Sequence, residues 1–127
     1  MGKLTSEQVN ELADYFLAMA QALGDYRQQN FDHLLEPVNQ EIKDLQAAIR
    51  KYADDLYTLS ASLVLDDVQG SLATIGDITN QIKSTYAELK DVQKAINIAN
   101  SVINLVKAII EKNPKMIGQI LEDLVKL

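Results

Sequence analysis

The chain has 127 residues, 47% of them hydrophobic and 24% charged, with 5 Gly and 2 Pro; this is the make-up of one folded domain and not of a disordered or collagen-like chain. Its 12 basic and 18 acidic residues leave a net charge of −6, the wrong sign for gripping a phosphate backbone, so nucleic acid is not expected as a partner. With no cysteine and a single histidine, His33, disulfides, thiolate metal sites, cysteine nucleophiles and multi-histidine metal centres are all excluded.

The amino-terminal run Met1-Gly2-Lys3-Leu4-Thr5 turns polar at once and lacks the apolar core of a secretory leader, so the reading favours the cytoplasm. A first helix is predicted over residues 6–35, because Val9, Leu12, Phe16, Met19, Leu23 and Tyr26 alternate spacings of three and four, the seam of an amphipathic helix. Thr5 followed by Gln8 has the form of a capping box at its start. Pro37 ends it and suits the first turn of a second helix.

That second helix, residues 38–65, repeats the device through Val38, Ile42, Leu45, Ile49, Tyr52, Leu56, Leu59 and Leu63. Asp66, Asp67, Gly70 and Ser71 then supply turn chemistry. A third helix is predicted over 71–112: its stripe runs Leu72, Ile75, slips one residue at Gly76-Asp77, and continues through Ile78, Ile82, Thr85, Leu89, Val92, Ile96, Ala99, Ile103, Val106 and Ile110. The slip reads as a kink or as the end of a short leading helix. Asn113 then serves as N-cap and Pro114 as first residue of a last helix, 114–127, carrying Ile117, Ile120, Leu121, Leu124 and Val125. The expected fold is all-α: one domain, 1–127, built as an antiparallel bundle of three long helices plus a short C-terminal helix with coiled-coil-like packing.

Length arithmetic points to a surface. At 1.5 Å per residue a third helix of about 42 residues outruns partners of about 30 and 28, leaving residues 98–112 overhanging. This segment is apolar on two faces, Ile96, Ala99, Ile103, Val106 and Ile110 on one and Ile98, Val102, Leu105 and Ile109 on the other, separated by Asn97, Asn100, Asn104 and Lys107. Either the third helix bends so that the hairpin closes the bundle, which is the preferred packing, or another chain covers the second face. The candidate interaction surface is therefore Ile98, Val102, Leu105 and Ile109 together with Ile117, Leu121 and Leu124.

Chemistry is sparse. His33 is expected at the rim of the first seam, the alternative being a buried polar layer with Asn30 and Gln93. No Glu-x-x-His motif is present and the glycines match no phosphate-binding loop. Tyr26, Tyr52 and Tyr86 occupy seam positions of three helices, Tyr26 and Tyr86 at similar height, and form a candidate small-ligand pocket. The expected function is a non-enzymatic protein-interaction or oligomerisation module acting through its C-terminal hairpin, as a homo-oligomer or with a helical partner, without cofactor or metal. Two alternatives differ in class: a membrane-active protein whose hairpin inserts in the manner of helical pore-forming toxins, and a ligand-binding bundle using the tyrosines.

Overall fold

The computed structural model describes residues 6–58, 68–111 and 113–126, and within them the side chains other than those of 6, 68–72 and 114. The expected cap at Thr5, the seam leucines Leu59 and Leu63 and the turn at Asp66-Asp67 lie outside these residues. Among the described residues there are five α-helices, α1 (Ser6–Gln29), α2 (Glu36–Thr58), α3 (Val68–Glu88), α4 (Val92–Ile110) and α5 (Pro114–Val125), with a short 3-10 turn at Phe31–His33. No strand occurs among the described residues.

The first two seams organise the core as their spacing requires. On α1 Val9, Leu12, Phe16, Met19, Leu23 and Tyr26 are all buried, and Ala13, Ala20 and Ala22 widen the stripe so that α1 can serve several neighbours. On α2 the alternate positions Ile42, Ile49 and Leu56 are buried, while Val38, Leu45 and Tyr52 pack half-covered at the edge. The first helix ends earlier than residue 35, at Asn30, whose backbone N–H and side-chain amide both donate to the Tyr26 carbonyl, at 3.1 and 2.9 Å. His33 N–H and Leu34 N–H then close the 3-10 turn on Asn30 and Phe31, and Pro37 sits in the first turn of α2, where its missing N–H has no helical partner to lose.

Helix α2 runs antiparallel to α1, with Arg27 bonded to Asn39 near the turn and Tyr57 bonded to Asp14 at the far end. Helix α3 runs in the same direction as α1, Gly76 lying against Tyr15 and Tyr86 against Tyr26. A Cβ on Gly76 would meet the Tyr15 hydroxyl at 2.9 Å, so the absent side chain is what lets the two helices approach there. The main contacts run from one helix to the next, α1 packing on α2 and α3, α2 on α4 and α4 on α5, with lesser contacts of α1 with α4 and of α3 with α5.

The single long helix expected over 71–112 is two helices, broken at Leu89-Lys90-Asp91 and not at Gly76. Asp91 is the cause: with extended backbone (φ −80°, ψ 104°) its carboxylate accepts from the backbone N–H groups of Gln93 and Lys94 at 3.0 and 3.2 Å, satisfying two of the orphan donors of a new helix start. Gly76 lies inside α3, which crosses the phase slip without interruption. The last helix begins as its sequence predicts, Asn113 Oδ1 accepting from Met116 N–H at 3.2 Å with Pro114 following.

Candidate functional site

Two of the three seam tyrosines meet. The rings of Tyr26 on α1 and Tyr86 on α3 lie 5.6 Å apart at 41°, within the range of tilted aromatic pairs, and both are almost wholly buried, at 1% and 3% exposure. Their hydroxyls have opposite fates. Tyr86 donates to the Ala95 carbonyl at 3.0 Å, tying α3 to the first turn of α4. The Tyr26 hydroxyl is buried and has no hydrogen-bond partner among the described residues.

Beside this pair a groove of about 280 Å³ opens between α1 and α3. Small side chains from both helices, Ala18, Ala22 and Ala87, leave the space, and Gln21, Asp25, Gln29 and Lys83 surround it with polar groups. Asp25 is already engaged, accepting from Gln21 at 2.9 Å. Burial pushes both phenols up in pKa, helped by the Asp91 carboxylate for Tyr26 and by Tyr26 for Tyr86. Both therefore stay protonated at neutral pH and can act as donors. The arrangement can hold a small apolar body against the Tyr26–Tyr86 pair, one of whose hydroxyls is buried without a partner among the described residues.

Tyr52 does not join them. It is half-buried on α2, and α2 packs against α1 and α4 without lying along α3, so the three-tyrosine layer reduces to a pair. Counting heights from the turns can place residues along the bundle axis, but not on a side of α1.

The seven residues of the expected interaction surface are all core. Ile98, Val102, Leu105 and Ile109 are at most 2% exposed, and Ile117, Leu121 and Leu124 at most 8%. The other face of α4 is covered as well, with Ile96, Ala99 and Val106 buried and Ile103 and Ile110 half-buried, while Asn97, Asn100, Asn104 and Lys107 form the exposed strip. The break at residues 89–91 removes the overhang: α4 turns back into the bundle against α2 and α5. Val125 is the exception on α5, 54% exposed.

His33 is exposed on the 3-10 turn, and Gln93 is exposed on α4, bonded to Asn97 at 3.0 Å; the rim position is the one adopted. Among the described residues no group of three His, Asp or Glu side chains is placed to hold a metal ion, and no helix is long and apolar enough to cross a membrane. Spacing also passed over the pairing of Tyr57 with Asp14, which joins the exposed edges of α2 and α1. No family model matches the chain, and comparison with curated proteins and with solved structures finds no similar protein.

Proposed function

We propose that this chain is a non-enzymatic binding protein whose site is the tyrosine groove between α1 and α3, taking a small, largely apolar molecule that carries a hydrogen-bond acceptor. The observation that supports this reading is a groove lined by Tyr26, whose buried hydroxyl has no partner among the described residues. Buried polar groups in folded proteins are nearly always satisfied, and leaving a donor orphaned is costly. A ligand acceptor would supply what the protein withholds, and bundle interiors are a usual place for such sites. The non-enzymatic part rests on composition: without cysteine, and with one exposed histidine, no nucleophile and base are paired by anything in the chain's pattern.

Benzoate and acetophenone, small aromatic probes with a carboxylate or a carbonyl acceptor, test the reading. Amide correlation spectra of the wild-type chain should show saturable shifts around Tyr26, Lys83 and Tyr86, weakened about tenfold by Tyr26→Phe, the loss of roughly one good hydrogen bond. Binding unchanged by Tyr26→Phe, or no shift with either probe, would overturn it.

A second reading, contact with another copy of the chain or with a helical partner, is favoured by Phe31 and Leu35, 55% and 75% exposed beside half-buried Leu34 at the α1–α2 turn. Sedimentation equilibrium checks it: self-association that Leu35→Asp abolishes supports it, and a monomer at every concentration, with no partner, removes it.

A further inference from the structure

On another flank of α1 we infer a second site, sharing only Gln21 with the first: a groove between α1 and α2 that binds a compact anion bearing two or more phosphate groups. The groove measures about 560 Å³ and collects Arg27, Lys43, Arg50 and Lys51 against one carboxylate, Asp54. The two arginines are the only ones in the sequence, and the four cations are a third of the 12 basic residues, gathered in a molecule whose net charge is −6. Helical spacing brings them together: Lys43, Arg50 and Lys51 are one face of α2, and Arg27 reaches the same groove from antiparallel α1.

No ion pair neutralises this cluster: among the described residues the one pair within 4.0 Å is Lys126–Glu122 on α5, at 3.9 Å. Asp44, next to Lys43 in the sequence, accepts instead from Gln40 on its own helix. Arg27 supplies the second observation: one guanidinium nitrogen, Nη1, is held by Asn39 Oδ1 at 3.2 Å, whereas Nε is buried with no acceptor among the described residues. Gly24 and Gln46 both line the groove, and the Gln46 side-chain amide packs over Gly24 where a Cβ would otherwise stand. Like charges gathered around one groove repel one another in the free protein, and a bound polyanion relieves the repulsion.

The choice of ligand follows from the lining. Guanidinium groups match phosphate oxygens in a fork geometry and lysines add point charge, and four cations against one acid suit a multiply charged anion better than a single carboxylate. No aromatic side chain is among the described residues lining the groove, which removes the stacking surface a nucleobase or single strand would need. The phosphates can belong to a soluble diphosphate or to a phosphorylated lipid headgroup, which share this chemistry.

Calorimetry of the full chain with inorganic pyrophosphate is the test, with a parallel arm using vesicles that contain a phosphatidylinositol bisphosphate. Saturable pyrophosphate binding that falls at least tenfold in the exposed double variant Arg50→Gln/Lys51→Gln, and weakens with added salt, supports the site. Binding only to the vesicles, lost in the same variant, supports it with the phosphate on a lipid. Absence of binding in both arms, or binding that the double variant leaves intact, overturns it. Circular dichroism of the variant should show that its helices persist, and Lys115→Gln, which removes an exposed cation on α5 outside this groove, should bind pyrophosphate as the wild type does.

Discussion

Tyr26 and Tyr86 are chemically identical neighbours with different hydrogen-bond accounts, and removing each hydroxyl should move stability in opposite directions. Tyr86→Phe forfeits the bond to the Ala95 carbonyl and is expected to lower the unfolding free energy by about 1 kcal/mol. Tyr26→Phe removes a buried hydroxyl that has no partner among the described residues and should leave stability unchanged or raise it by about 1 kcal/mol. Urea unfolding of the two variants side by side checks this; a Tyr26→Phe protein weaker than Tyr86→Phe would mean that the hydroxyl is satisfied within the chain. A variant that is more stable yet binds ligand less well is the signature of a residue kept for function. The pairing of the two tyrosines is legible from spacing alone, since seam position and height put both residues in one layer. Which hydroxyl is satisfied is not, because the acceptor for Tyr86 is a backbone carbonyl that exists in that place only when α4 begins beside it.

At the scale of an element, the decisive feature is the three-residue interruption between α3 and α4. Hydrophobic periodicity is blind to it, because Thr85, Leu89, Val92 and Ile96 keep their 4,3,4 spacing straight across the break. The signal present is Asp91 ahead of Val92, an N-cap residue type whose meaning depends on whether the backbone leaves the helix there. Asp91→Ala should cost about 1 kcal/mol, with Asp91→Asn recovering most of it, since the amide oxygen can still accept from Gln93 and Lys94. Thermal unfolding measures both. If Asp91→Ala is neutral, the break is imposed by packing alone. By contrast, Asn113-Pro114 is readable as a boundary without help, because proline restricts its own backbone and that of its predecessor whatever surrounds them.

Across the whole molecule, stability rests on apolar burial between the helices, and the one described ion pair is exposed and contributes little. Titration should therefore act through the phenols. Burial raises Tyr26 and Tyr86, and hydrogen bonds to Glu11 and Asp14 raise Tyr15 and Tyr57, the last to about 12. A folded pKa above the unfolded value of about 10 means that the folded state holds its proton longer, so this stabilisation is complete below pH about 10 and is lost as pH rises through the folded values. Phenolate absorbance followed together with circular dichroism should show ionisation of the buried pair, Tyr26 and Tyr86, delayed until the helices are lost; ordinary titration of both with the helices intact would contradict it. The same scale explains what net charge conceals. A total of −6 reads as hostile to phosphate, yet the groove between α1 and α2 gathers both arginines, because which cations converge depends on the faces that two helices turn to each other. By itself the sequence determined the all-helical class, the buried seam of α1, the alternate buried positions Ile42, Ile49 and Leu56 of α2 and the start of α5, all of which follow from local backbone preference and spacing. Only the tertiary structure decided that the apolar hairpin is core and not contact surface, that Tyr52 stands apart from its two counterparts, and that Tyr26 and Arg27 each keep a buried donor unpartnered among the described residues. Burial and hydrogen-bond satisfaction are properties of neighbours, and neighbours are chosen by where the chain turns back.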